Sequence, residues 1–538
     1  MRPLRKVIRR NRRGIALIVS LIFVLIFSAL AVSMAGMTST NAQLAHNQHK
    51  VNAALAAAQS GADCALYIVS TVSLPQTGMN FVSDTEADET WSSLCTHLQT
   101  TELDGRTVNS AAQFSDALGA GDEIVTEALN FDDSGTTFTL RFYRYDGDPH
   151  TLYIQATGAD GDVSRSVLMD MEITKDSQVL NYAIASRGRM WLTGDTTIHG
   201  DIFSSWDVPS ISPFNMTSDS SVLGTINTVL TLDQIKNESY QMETLDANDN
   251  PMFDEYGNRI YSSDDEVQGY HEGINYDQAG SIPGMDISHY DTDMYNSGLL
   301  NVSSSSTVEV EYFPHASGNY NYPRDGSPSS TWNRRLERHV YENVDFTDVR
   351  LPDDRNALFR NCTFNGVLYI DCYKSGNYHY NNVRFEDCDF NGTIITDVPQ
   401  QLKWQHNCLY FTGEANFNNQ SGIDEATILA PHFNVNLGNT NPEQNDNNVL
   451  TGAIVGGIVD VRGNAQINGT IISMCDTTQW SSGYVTNIGA TLDDGGSETT
   501  ELGDIGVISV TPAQDQMLPS GITSPIIIRP LPGTYTEQ

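Results

Sequence analysis

The sequence predicts a mainly β protein led by one long α-helix, with a small α+β domain first and a parallel β-solenoid head after it. Three observations predict this class. Residues 15–66 contain no proline and are apolar or alanine-rich. Residues 138–173 alternate apolar and polar side chains across turn signals. Beyond residue 183, short strand-like segments recur with Gly and Asn between them. A β-sandwich of ordinary hairpins is the alternative for the head.

The helix comes first in the chain. A basic block containing Arg2, Arg5, Lys6, Arg9, Arg10, Arg12 and Arg13 ends at Gly14, and an uninterrupted apolar run of 23 residues, Ile15 to Met37, follows at once. At 1.5 Å per residue such a helix covers about 35 Å, enough for a bilayer core of about 30 Å. The run is too long for the core of a cleavable signal, although "ALAVSMAG" at 29–36 offers a signal-peptidase site as the competing reading. Positive charge before the run keeps the amino terminus cytoplasmic and sends everything after Met37 outward. Residues 38–66 are alanine-rich and carry Leu44, Val51, Leu55, Ala58, Ala62 and Leu66 at three-, four- and seven-residue spacings. The helix is therefore expected to continue out of the membrane as one rod, on the order of 75 Å long; a membrane helix followed by a separate amphipathic one is the alternative.

A short basic leader ending in glycine, directly before an apolar helix that continues beyond the membrane, resembles the type IV pilin and pseudopilin class. "RRGIALIVSLIFVLIF" and "ALAAAQSGA" are most similar to minor pilins with a PilX-type amino terminus and to the large pseudopilin of type II secretion. The resemblance covers about residues 1–66. It implies that a prepilin peptidase cuts between Gly14 and Ile15, that Ile15 becomes the methylated first residue, and that other pilin or pseudopilin subunits pack on the helix. Most members carry glutamate at the fifth mature position, where this chain has Val19. No acid occurs in Ile15 to Met37, so the paired-charge device that registers repeating subunits is missing. That absence favours a minor subunit over a shaft component.

Composition agrees with export. The chain has 29 Lys plus Arg against 67 Asp plus Glu, a formal charge of -38 that becomes -45 without the seven basic residues of the leader. Such a surface repels nucleic acid and anionic lipid. Seven cysteines, Cys64, Cys95, Cys362, Cys372, Cys388, Cys408 and Cys475, show neither CxxC nor zinc-knuckle spacing. Cys64 with Cys95 is the simplest disulfide candidate, while connectivity stays open.

Residues 67–182 read as the small α+β domain. "FTLRFYRYDGDPHTLYIQATGADGDVSRSVLMDMEI" predicts a three-stranded antiparallel meander, and "DTEADETWSSLCTHLQTTELDG" supplies one undecided helix. The solenoid is assigned to 183–205 and 335–512. "LTGDTTIHGDIFS" from Leu192, "FTGEANFNN" from Phe411 and "VRGNAQINGTIIS" from Val461 superimpose, and "FRNCTFNG" repeats as "FEDCDFNG" after 26 residues. One winding of 26 residues aligns Cys362 with Cys388 and Phe364 with Phe390 as inward ladders. Residues 206–334, rich in Ser, Asp, Asn and Tyr, read as an insertion or lid with a possible surface or glycan ligand, and 513–538 as a carboxy-terminal tail.

Chemical motifs are sparse. "DANDNPMFDEYGN" starts with calcium-loop spacing at Asp246, Asn248 and Asn250, but Pro251 and Gly257 occupy positions that need Gly and Glu, so a pair of turns is expected. His46 and His49 lie one turn apart without a third ligand. Asp353 and Asp354 suggest a polysaccharide hydrolase, yet adjacent strand residues face opposite ways. No catalytic residue, metal or cofactor is expected. The leading reading is a minor pilin-like subunit; a membrane-anchored or pilus-tip adhesin is second, and a polysaccharide-active enzyme third.

Overall fold

No proline interrupts residues 13–71, and in the computed structural model one α-helix of 59 residues runs from Arg13 to Thr71. The structure describes residues 13–79, 81–101, 103, 108–131, 135–280, 282–285, 300–302, 308–314, 333–352, 355–371, 382–397, 407–417, 428–438, 448–462, 464–474, 485–489, 507–512, 518 and 521–538. The leader up to Arg12, Asp353, Asp354, Cys372 and Cys475 lie outside them. The chain forms two units, one of residues 1–75, 82–174 and 526–538, the other of 76–81 and 175–525.

In the first unit, the second half of the long helix packs on an antiparallel sheet. Thr137–Tyr145, Asp148–Asp160 and Val163–Lys175 form the meander, extended by Ala120–Val125 and Ala112–Ser115. Leu140, Phe142, Leu152, Ile154, Ala156, Val167, Met169 and Met171 are buried at every second position, as a half-buried sheet requires. The helix answers with small residues: Ala54, Ala57, Ala58, Ala62 and Ala65 are buried, followed by Ile68 and Val69. Of the expected stripe, only Ala58 and Ala62 are buried. Leu44 is exposed, and Val51, Leu55 and Leu66 are half-buried at the margins. The reason is proximity of the two backbones: a Cβ added at Gly158 would lie 2.0 Å from the Ala54 carbonyl oxygen and 2.5 Å from the Ala58 nitrogen.

The segment from Asp84 to Thr100 is a helix, started by a capping box in which the Ser83 nitrogen donates to Glu86 at 2.8 Å and the Glu86 nitrogen to Ser83 Oγ at 3.3 Å. It buries Trp91, Leu94, Cys95 and Leu98 in the same core. The carboxy-terminal residues are not a tail. Residues 526–538 belong to this unit: Ile526 is buried with Val82, Ala87 and Ile173, Thr536–Glu537 pairs with Val167–Leu168, and Arg529 bridges Glu172 at 2.8 Å. Pro530 ends the strand Ile522–Pro530 and Pro525 lies within it opposite Gln76, and these prolines are why the segment looked unstructured in the sequence.

The second unit is large and β-rich, and its sheet is parallel. Three files of inward side chains run through it. In the first, Val349, Leu368, Ile394, Ile428, Ile454, Ile471, Ile184, Ile202, Ile226 and Ile274 pair in that order. In the second, Tyr341, Phe359, Phe385, Phe411, Leu437, Val461, Ile488, Leu192, Met216 and Val267 follow one another. The third starts at Phe346, Phe364, Phe390 and Phe417 and ends at Ile198, Val222 and His271. Neighbouring rings stack, with centroids 5.2 Å apart for Phe364 and Phe390 and 4.4 Å for Phe390 and Phe417. Hairpin pairing, which a sandwich needs, is limited among the described strands of these files to Val308–Pro314 with Asn333–Glu342.

The order is not that of the chain. Strands near 471, 488 and 510, late in sequence, pair with strands near 184, 192 and 198, which come early. Incoming and outgoing segments therefore meet: the Asp176 nitrogen donates to the Pro525 carbonyl at 2.9 Å, and Lys175 Nζ donates to the carbonyls of Met79 and Ile522 at 2.8 and 2.6 Å. The boundary of the expected insertion also moves. Phe214–Met216, Ser221–Thr228 and Tyr270–Asn275 are parallel strands of the files, although their Ser, Asp and Asn content resembles a loop.

Corners use residues that accept positive φ. Asn343, Asn361 and Asp387 have φ of 56°, 51° and 53°. Gly392 is needed for another reason: a Cβ there would lie 1.8 Å from the Gly366 carbonyl oxygen of the preceding layer.

Two outcomes are expected. Gly158→Val forces the helix off the sheet and destabilises the first unit by roughly 1–3 kcal/mol, read as a lower denaturant midpoint. His271 stands where the third file would otherwise continue with an aliphatic residue, and burial, aided by Arg259, pushes its pKa from 6.5 down to about 4. The unfolded chain then binds the proton more readily, so stability is present above pH 6.5 and falls towards pH 4. His271→Leu is expected to flatten that decline in pH-dependent thermal unfolding.

Candidate assembly site

From Ala16 to His49 every residue of the long helix is exposed, and the stretch to Met37 is almost wholly apolar. An apolar helix face with nothing packed on it is stable only in lipid or against other helices. Three of its hydroxyls bond within the helix: Ser20 Oγ donates to the Leu17 carbonyl at 2.9 Å, Thr38 Oγ1 to Met34 at 2.8 Å and Thr40 Oγ1 to Gly36 at 3.0 Å. Gly14 and Ile15 lie in the first turns of the helix, and Val19, one turn further on, is 44% exposed. The first acid of the chain is Asp63, so the exposed half has no carboxylate with which to pair a cationic amino terminus.

The exposed half ends where Lys50 Nζ meets Asp162 Oδ1 at 2.8 Å. Hydrogen bond and charge raise the lysine pKa and lower that of the carboxylate. After this point the alanine face is covered by the sheet, so one helix divides into a free apolar segment and an anchored one.

The other residues singled out by the sequence fall elsewhere. Cys64 and Cys95 both belong to the helix–sheet core, as thiols. Each packs among apolar side chains, and burial pushes the Cys95 pKa up to about 12, which makes that thiol a poor nucleophile. Phe364 pairs in register with Phe390, and Cys362 and Cys388 are buried beside them. Asp246 accepts hydrogen bonds from the nitrogens of Asn248 and Asn250 at 2.7 and 3.0 Å, and Asp254 does the same with Tyr256 and Asn258 at 2.9 and 2.8 Å. These are two successive Asx turns whose carboxylates are engaged by their own backbone. His46 and His49 are exposed, and among the described residues no group of three His, Cys, Asp or Glu side chains is placed to hold a metal.

Sequence reasoning missed the buried polar contacts of the head. Arg338 is fully buried, donates to Asn382 Oδ1 and stands 5.9 Å from the centroid of the Tyr410 ring. Glu243, almost fully buried, is paired with Arg259 and accepts from Tyr276 Oη at 3.4 Å. No spacing in the sequence links these partners.

Comparison with known proteins places the helix. Residues 13–63 match the family model described as PilX N-terminal. Among solved structures the chain is similar to the competence-associated pilin ComZ from Thermus thermophilus, at 13% identity, covering 91% of this chain and 98% of that one with a TM-score of 0.24. Comparison with curated proteins finds no match.

Proposed function

We propose, from the type IV minor-pilin character of residues 13–63, that the protein is a minor subunit of a type IV pilus or of a type II secretion pseudopilus. The observation that carries this reading is the helix itself: it is continuous, exposed and acid-free up to His49, and anchored on a sheet beyond. The apolar segment serves first as an inner-membrane anchor with the amino terminus in the cytoplasm. After removal of the leader by a prepilin peptidase between Gly14 and Ile15, and methylation of Ile15, it serves as the surface on which other subunits pack. Leu44 lies on its exposed flank, and Val51, Leu55 and Leu66 at the margins of its anchored part. Val19, in place of a carboxylate, suits a position set by few copies rather than by a repeating charge pair.

On this reading the second unit is a β-solenoid head carried outside the cytoplasmic membrane. Parallel pairing, in-register inward files and left-handed corners support the winding. A non-enzymatic, structural role is favoured. Adhesion is the second reading, supported by Phe253, Tyr256 and Tyr270, which are 53%, 81% and 57% exposed in the same unit.

Sequencing the mature amino terminus by mass spectrometry tests the proposal. An N-methylated Ile15 is expected, and Gly14→Asp should leave the leader in place. An intact leader in the wild-type chain, or cleavage near Ala35, would contradict it.

A further inference from the structure

Cysteines 362 and 388 occupy the same place on successive layers of the head. Arg360 pairs with Glu386 and Thr363 with Asp389, both at an offset of 26 residues, so Cys362 stands beside Cys388. The Asp389 nitrogen donates to the Cys362 carbonyl at 3.0 Å, which closes the ladder at that point. Both side chains are buried, at 2% and 1% exposure, and both are free thiols. In the reduced chain Cys362 Sγ donates to the carbonyls of Tyr341 and Arg360 at 3.4 and 3.3 Å, and Cys388 Sγ to those of Phe359 and Glu386 at 3.4 Å each. Adjacent strands lie about 4.7–4.9 Å apart, inside the Cα separation of about 4.4–6.8 Å that a disulfide spans.

Their neighbours leave no competing partner in the file. Cys388 pairs on its other side with Ala415, and the 18-residue offset of the layer before Cys362 places Val344 there. Cys408 stands on a different line, paired with Asn382 and Asn434. Cys64 and Cys95 belong to the other unit.

We propose that Cys362 and Cys388 form a disulfide that links successive layers of the head when the chain folds under oxidising conditions. The expectation that this happens in the cell rests on the extracytoplasmic placement argued above. Chemically, the Cys362 thiolate attacks a low-molecular-weight disulfide, forming a mixed disulfide and releasing one thiolate. Cys388, having lost its proton, then attacks the Cys362 sulfur and expels the second thiolate. Two cysteine thiols lose two protons and two electrons, and the external disulfide is reduced to two thiols. Burial of both sulfurs in the finished stack means that the step belongs to folding, before the layers close, and that the bond is afterwards shielded from reductant.

The test is refolding of the full-length chain in detergent, from a reduced and denatured state, in a buffer of oxidised and reduced glutathione. After denaturing alkylation, unreduced peptides are mapped by mass spectrometry. A peptide containing Cys362 linked to one containing Cys388, two hydrogens lighter than the sum of the reduced pair, is expected, with Cys408 alkylated. Alkylation of both Cys362 and Cys388, or linkage of either to another cysteine, would overturn the proposal. Cys408→Ser should leave the linkage unchanged, and loss of the linked peptide in that variant would also overturn it. The same map on protein taken directly from membranes separates the two claims: a linked refolded chain with free thiols in the membrane sample supports the pairing and contradicts the placement.

Discussion

Like stacked on like at the spacing of hydrogen-bonded strands is the constraint on which the head depends. Isoleucine recurs at one station of layer after layer, and phenylalanine at two others, because a parallel in-register sheet brings equivalent side chains to the same distance everywhere. Each apolar residue is covered by its register neighbours in the parallel sheet, so the files together make one continuous core. The same constraint dictates the corners, where Asn, Asp or Gly must recur so that the chain can turn without pushing the layers apart.

The helix obeys the opposite rule. Its anchored half approaches the sheet with alanine and meets Gly158, a contact that no larger residue permits. Its exposed part up to Met37 is made largely of apolar residues that no described part of the chain covers. Small residues thus fasten the helix to its sheet, while the larger ones up to Met37 stay exposed. Absence of any carboxylate before Asp63 follows the same division, since a charge in the free half would have to be paired wherever the helix went.

What was legible in the sequence was local. The helix, the meander around "YDGDP" and the 26-residue echo around Phe364 and Phe390 rest on periods that a single window contains. Contacts between distant windows were not legible: Ile184 meets Ile471, and both are ordinary isoleucines in short strands. Strands 214–216 and 221–228 were hidden by their polar residues, of which Asn227 and Thr228 are buried, and the strand Ile522–Pro530 by its prolines. On the helix, spacing picked out Ala58 and Ala62 together with Leu44 and Val51 but not Ala54, Ala57 and Ala65, because burial tracks close approach here and not hydrophobic size. Pairing of Cys64 with Cys95 rested on closeness in the chain alone, and both lie in the helix–sheet core as thiols.

The central claim is that the free half of the helix is an assembly surface, and a photo-crosslinking side chain at Leu25, which is 62% exposed, tests it most directly. Irradiation of cells followed by shearing of surface fibres should yield this chain joined to other pilin-type subunits in the fibre fraction. Crosslinks confined to lipid, with the chain remaining in the membrane fraction, would contradict the account and leave the helix as an anchor alone.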